Sequence, residues 1–407
     1  MKYTRYAGTI YCAVMVLMLG ACSSNSPSSS DLNQPSTSVE TSDEDFRISD
    51  SIVDSKKSNT PVNIDIDNID QSIVAEPVSG FDYSDYVHDD TSFIRLITIV
   101  DDVVYFEKYI QKAENTSDIY YYQYNLSTGE SEEFDGYIAD YNSSSDSYAF
   151  VGGFIYFTIE TLDAQVHYKV DLIRRKVSCL KSLPLSRDTD SFVYTFALDD
   201  ENYVESFFNM NGDTLTYHVI VFSQTGENEI ITKSSKRNDE IYVYSASAGT
   251  LYEYSQKNRL SDCYLSTYDV NGTLLSSVFL QEVTDEIATE SSGYLDHFVV
   301  MNHYTAFNIG CEMPRETCIL YDSSDNEVKM IDDVRFSTHS QNQDSNCLLP
   351  MIVHSKTGEP ERMNLCFIDR EGNFHQLEKG LDYTFSVANN DDTIVYIKNA
   401  TMYKITL

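Results

Sequence analysis

The sequence predicts an all-β protein, and three observations lead there. Beyond Thr91, apolar residues, chiefly Tyr, Phe, Val and Ile, alternate with polar ones at a period of two, and no segment sustains the 3.6-residue period of a helix. Clusters of Gly, Asn, Asp and Ser cut these segments into short lengths. One kind of turn then recurs about every 50 residues, the spacing of a repeated unit of four short strands with its connections.

The turns carry the argument. An aromatic-rich strand ends in a small polar loop and restarts at Tyr124 to Gly129, Tyr168 to Arg175, Phe222 to Gly226, Tyr268 to Gly272, Tyr321 to Asn326 and Phe367 to Gly372. In such a turn Asn or Asp bonds the neighbouring backbone, and Gly or Asn takes the positive φ that reverses the chain. Six turns give six complete units, and three further strands follow at 383–388, 393–398 and 401–407. The chain stops where a fourth would begin. A segment before the first unit, around Ile73 to Phe81, is therefore expected to lend the missing outer strand and remove an open edge.

This pattern resembles repeat β-propellers over about residues 80–407. The expectation is seven four-stranded blades closed by an N-terminal strand, with six blades as the runner-up. The chain has no Trp, so the Trp-Asp dipeptide and the Trp-ended Asp box of two propeller classes are absent, and Gly152-Gly153 is not repeated per blade as in kelch proteins. The 31 tyrosines are expected to fill the cores between blades.

The first 22 residues are of another kind. Lys2 and Arg5 precede an apolar run from Ile10 to Leu19, too short to span a bilayer, and Leu19-Gly20-Ala21-Cys22 closes it. That tetrapeptide resembles the lipobox of bacterial lipoproteins. The resemblance implies a signal peptide over residues 1–21, cleavage before Cys22, and diacylglycerol and palmitate-type acylation of Cys22. Two or more acyl chains hold a protein durably on a bilayer. The protein is then expected on the extracytoplasmic face of the cell membrane, its membrane partner engaged through Cys22.

Residues 22–79 read as a tether. From 23 to 79 there are 15 Ser, 11 acids against 3 basic residues, and Phe46 as the one aromatic, too little apolar surface to offset chain entropy. Asp65, Asp67, Asp70 and Glu76 approach the spacing of an EF-hand loop, but Ile69 stands at a ligand position and Asp70 where the sharp turn needs Gly. Alternation at Val62, Ile64 and Ile66 reads better as a short strand or a solvated run.

Charge restricts the partners. With 64 acids against 28 basic residues the net charge is -36, a field that repels nucleic acid, anionic lipid head groups and anionic polymers and favours a neutral or cationic ligand or a protein. No G-x-S-x-G elbow, phosphate-binding loop or H-E-x-x-H helix is present. His297 and His303 stand six apart, and His167, His218 and His375 sit singly in strands, so a histidine metal site has little support and the metal assignment stays unknown. The acid pairs Asp101-Asp102, Asp199-Asp200-Glu201, Asp332-Asp333 and Asp391-Asp392 are expected at one mouth of the channel, where carboxylates would suit Ca²⁺. Otherwise no cofactor is implied.

Two cysteine pairs, Cys311 with Cys318 and Cys347 with Cys366, have spacings compatible with disulfides across neighbouring strands, and buried free thiols are the equal alternative. Cys179 and Cys263 have no evident partner. The function these features imply is a membrane-anchored propeller that displays a binding surface in a scaffold or sensor role. The alternative is a secreted propeller hydrolase or lyase acting on a neutral glycan or peptide, and the balance leans away from an enzyme.

Overall fold

The computed structural model describes Val62–Asn63 and the chain from Val74 to Thr406, apart from positions 90, 114–115, 142–147, 161–163, 185–192, 224–225, 237–238, 258–260, 281–293, 302–303, 311–315, 325–326, 333, 337–346, 354–361, 369–373, 382–385 and 391. The alternating segments of the sequence pair into seven four-stranded antiparallel units. The first blade is Ser92–Val100, Val103–Ala113, Thr116–Asn125 and Ser131–Tyr141; the second is Ala149–Val151, Phe154–Glu160, Ala164–Asp171 and Lys176–Pro184. The third is Tyr194–Ala197, Tyr203–Asn211, Thr214–Ser223 and Gly226–Lys236, and the fourth Glu240–Ser247, Thr250–Lys257, Ser261–Tyr268 and Leu274–Phe279. The fifth is Tyr294–Met301, Tyr304–Gly310, Glu316–Asp322 and Val328–Asp332, and the sixth Val334–Phe336, Cys347–Val353, Arg362–Ile368 and Phe374–Leu381. All six turns picked out in the sequence join the third strand of a blade to its outer strand.

The seventh blade has Ser386–Asn389, Thr393–Lys398 and Thr401–Thr406 from the C-terminus, and Glu76–Pro77 as its outer strand. Glu76 pairs with Lys404 and Pro77 with Tyr403 in antiparallel register. The chain thus clasps its two ends, as the incomplete last unit predicts, and the protein is a seven-bladed β-propeller. Proline is tolerated here because an outermost strand needs no donor on its free side.

Two features go beyond the repeat. A parallel bridge between Lys176 and Asp135 joins the outer strands of the first two blades into one eight-stranded sheet. Val62–Asn63, within the stretch assigned to the tether, lies parallel to the outer strand of the fifth blade, opposite Lys329 and Met330. Both it and Glu76–Pro77 therefore belong to the ring rather than to the tether.

Blades pack face to face through the side chains that alternation turns inward. Ile94, Leu96, Val104 and Phe106 of the first blade meet Ala388, Val395, Ile397 and Met402 of the seventh, and the Leu96 amide donates to Ser386 Oγ at 2.7 Å. Tyr121, Tyr124, Tyr254 and Tyr396 are among the largest fully buried side chains, so the tyrosines do fill the core. Burial of an aromatic side chain contributes several kcal/mol, and truncating one leaves a cavity that costs about 3–5 kcal/mol. The joints also fix backbone choices. Gly272 in the turn of the fourth blade has φ +80°, and a Cβ there would stand 2.5 Å from the Ile230 carbonyl oxygen on the third blade, so only glycine fits.

Candidate functional site

Because strands alternate in direction, turns from inner to second strand share one end of the ring with turns from third to outer strand. Links from second to third strand, and from each outer strand to the next blade, lie at the other end. Asp101-Asp102, Asp199 to Glu201, and Asp392 sit in inner-to-second turns of the first, third and seventh blades, together at one end as expected. Asp332 does not join them. It ends the outer strand of the fifth blade and lies at the opposite end. The expectation of one shared mouth fails for Asp332 because it ends an outer strand instead of lying in a hairpin turn; Asp333 and Asp391 lie outside the described residues.

Two carboxylates at the shared end are engaged locally. Asp199 Oδ1 accepts from the amides of Glu201 and Asn202 at 2.8 Å each. Asp102 Oδ2 accepts the Ser127 hydroxyl at 2.6 Å. Asn390 Nδ2 donates to the Asp101 carbonyl at 3.1 Å, and the Gly249 amide to the Leu198 carbonyl at 2.6 Å, so adjacent blades are stitched together here. Among the described residues no group of three or more His, Cys, Asp or Glu converges for a metal ion. Of the EF-hand-like set, Asp65, Asp67 and Asp70 lie outside the described residues, and Glu76 belongs to the closing strand.

Chemistry gathers instead inside the joints between blades. Glu107, on the second strand of the first blade, is fully buried. Its Oε2 accepts from Arg95 Nε at 3.0 Å, Arg95 Nη2 at 2.8 Å and the Tyr109 hydroxyl at 2.8 Å, and its Oε1 from the Tyr121 hydroxyl at 2.7 Å. The Tyr148 hydroxyl, just before the second blade, reaches both oxygens at 3.2 Å. The Arg95 guanidinium lies 5.2 Å from the ring centre of Tyr109 and 5.0 Å from that of Tyr148, within cation–π range. A carboxylate has about four lone-pair sites, and here they are filled. Burial, with the Glu107 charge beside it, holds the Tyr121 hydroxyl well above its ordinary pKa, so it stays a donor.

The other joints vary this theme. Between the second and third blades, Glu205 Oε1 accepts from Thr158 Oγ1 at 2.8 Å and lies 2.9 Å from His167 Nδ1. His167 Nε2 is buried with no hydrogen-bond partner among the described residues. Between the third and fourth, Lys233 Nζ meets both oxygens of Glu253 at 2.7 and 2.6 Å and donates to the Tyr268 hydroxyl at 3.0 Å. Burial alone would lower the Lys233 pKa, but the Glu253 carboxylate and the Tyr268 contact outweigh it and raise it. Between the sixth and seventh, Lys398 Nζ donates to Glu378 Oε1 at 2.8 Å.

The buried glutamates escaped the reading of the sequence. Their signal was there: a lone acid inside an aromatic-apolar strand, as in Tyr105-Phe106-Glu107, Tyr203-Val204-Glu205 and Tyr252-Glu253-Tyr254. A turn acid is cheap to solvate, whereas a mid-strand acid facing a core needs a partner.

The residues singled out by the sequence are otherwise placed as follows. Cys22 and Cys311 lie outside the described residues, as does His303. Of Cys347 and His297 the strand is described and not the side chain. Cys318 and Cys366 are buried free thiols; Cys179 is exposed, and Cys263 is buried with its Sγ accepting the Tyr254 hydroxyl at 3.1 Å. Burial pushes the thiols of Cys318 and Cys366 up to about 12. His218 is engaged with Glu229 at 2.5 Å and stacks on Phe207; His375 stacks on Phe367 at 4.6 Å.

No protein-family description and no curated protein matches the sequence. Among solved structures the chain is similar to an oligogalacturonate lyase in complex with manganese, at 11% identity over 78% of this chain and 90% of that one, TM-score 0.47. It is similar to the β-propeller domain of the Trilobed protease from Pyrococcus furiosus, described as having an open velcro topology, at 12% identity, 71% and 99% coverage and TM-score 0.36. A fucose-specific lectin from Aleuria aurantia aligns at 11% identity over 73% of this chain and 98% of that one, TM-score 0.43. At these values nothing about a ligand or a reaction carries over to the present chain.

Proposed function

We propose that the protein is a lipid-anchored binding propeller on the extracytoplasmic face of the cell membrane, with Cys22 as the lipid attachment point and the ring as a rigid display frame. The partner is a protein, or a neutral or cationic ligand, in keeping with a net charge of -36. The observation that carries the frame role is Glu107: its oxygens already accept from Arg95, Tyr109, Tyr121 and Tyr148. A carboxylate so occupied is held by three side chains of its own blade and by Tyr148 at the entry to the second, and its acceptor sites are taken up in holding the frame. Lys233–Glu253 plays the same part at another joint. Fixed joints with loops at both ends suit recognition.

Two measurements test the two halves of the proposal. Fractionation of cells carrying the full chain should place it with membranes, and labelling with a palmitate analogue should mark the parent chain and not Cys22→Ser; a parent chain that takes up no label defeats the anchoring. Cross-linking from intact cells should capture one stoichiometric partner. Turnover of neutral glycans or peptides by the purified chain, abolished by changing a single channel carboxylate, would replace the display role with the hydrolase or lyase reading.

A further inference from the structure

The outer hairpin of the second blade departs from the rest of the molecule in charge and in what it exposes. In a chain where acids outnumber basic residues 64 to 28, the stretch from Ile173 to Leu183 holds Arg174, Arg175, Lys176 and Lys181 and no acid. Three large apolar side chains stand out of the same stretch: Ile173 is 80% exposed, Leu180 50% and Leu183 38%.

Local structure explains the exposure. Asp171 Oδ1 accepts the Arg174 amide at 2.8 Å and Arg175 takes φ +53°, a tight turn that leaves Ile173 at its tip. Along the outer strand, Cys179 pairs with Tyr168 and Lys181 with His167, so Leu180 is the extra residue of a β-bulge. The bulge breaks the inward–outward alternation, and Cys179, Leu180 and Lys181 are all exposed in sequence. The strand edge is therefore a mixed strip of basic and apolar side chains.

The basic groups are only loosely held. Arg174 lies 3.6 Å from Asp171 with its side chain 82% exposed, and Lys181 lies 3.6 Å from Glu227 with both side chains about half exposed. Exposed pairs at such distances are worth about 0–1 kcal/mol and exchange readily for an external anion. Arg175 is paired with Glu132 of the first blade.

We propose that this strip is a membrane-surface contact, with Arg174, Lys176 and Lys181 taking anionic lipid phosphates while Ile173, Leu180 and Leu183 enter the headgroup layer. Charge complementarity fixes the choice of occupant together with the interleaved apolar residues, which a bilayer interface accepts and a purely acidic peptide does not need. The strongly acidic remainder of the ring is repelled by the same surface, so contact through this one edge would set the ring's orientation. The proposal rests on lipidation at Cys22 only for the nearness of the bilayer.

The test uses residues 22–407 carrying Cys22→Ser, so that no acyl chain contributes, sedimented with phosphatidylcholine vesicles with and without phosphatidylglycerol. Binding is expected on the anionic vesicles, weakened by salt. Each charge reversal among R174E, K176E and K181E should reduce the partition by about five-fold, and I173S with L180S should reduce it further. Unchanged circular dichroism and melting certify the surface variants as folded. Equal partition onto both vesicle types, or indifference to the charge reversals, overturns the proposal. So does binding to poly-glutamate without binding to vesicles, which would assign the strip to an acidic protein. Anchoring through Cys22 is read separately, by acyl labelling of the unmodified chain.

Discussion

Lys233 on the outer strand of the third blade and Glu253 on the second strand of the fourth are in direct contact at 2.6 Å, with the Glu253 side chain only 2% exposed. Removing one member of such a pair strands a buried charge. Lys233→Met is expected to cost about 3 kcal/mol, and the double variant with Glu253→Leu to recover much of it, because an apolar pair needs no desolvation. Denaturant melts of the four chains of this cycle measure the coupling directly.

The same pair should show itself at alkaline pH. The folded-state pKa of Lys233 is raised, so its contribution is complete below the unfolded value of about 10.4 and fades as pH climbs through the folded one. Melting temperature followed upward from pH 8 should therefore fall more steeply in the parent than in Lys233→Met. Parallel curves would contradict the assignment.

Glu107 gives a sharper local test. Glu107→Gln keeps the volume but replaces an anion with an amide that brings two donors of its own into a site already full of donors, leaving the part-buried Arg95 without the Glu107 charge. A loss of about 3–5 kcal/mol is expected, and Arg95→Met in the same background should give part of it back. A near-neutral Glu107→Gln would mean that the carboxylate is not the keystone of the joint.

Ring closure can be fixed covalently. Pro77 and Tyr403 face each other in antiparallel register, a geometry in which Cys pairs can bond. Pro77→Cys with Tyr403→Cys should oxidise and raise the melting temperature, since the bond closes a very long loop and constrains the unfolded chain by roughly 6 kcal/mol in the loop-entropy treatment. Deleting Glu76–Pro77 should do the opposite and, by baring the edge of Thr401–Thr406, promote association.

The thiols separate by burial. Cys179 is exposed while Cys318 and Cys366 are buried, with thiols held up to about 12. Alkylation of the native protein near neutral pH should mark Cys179 within minutes and leave Cys318 and Cys366 unmodified until denaturant is added, as peptide mass mapping would record.

Much of this architecture was legible in the sequence, and for a local reason. Each turn from third to outer strand needs a residue of positive φ or a side chain that caps its own backbone, so the six turns from Tyr124–Gly129 to Phe367–Gly372 are written in Gly, Asn and Asp. Strand alternation is equally local. A last unit one strand short required a donor from elsewhere, and the N-terminal stretch was the available one; Glu76–Pro77 supplies it. The place of Asp332 was misjudged because an acidic dipeptide looks the same within a hairpin and between blades.

What the tertiary structure alone decided are contacts between residues far apart in sequence. Nothing in the local pattern says that Thr158 will meet Glu205, that Ser386 will accept from the Leu96 amide, or that Val62 will lie beside Lys329. Alternation sets which face a side chain takes, but the partner across a joint follows from how twisted sheets stack around an axis. That stacking is a sum over all seven blades, and no single stretch of the chain encodes it.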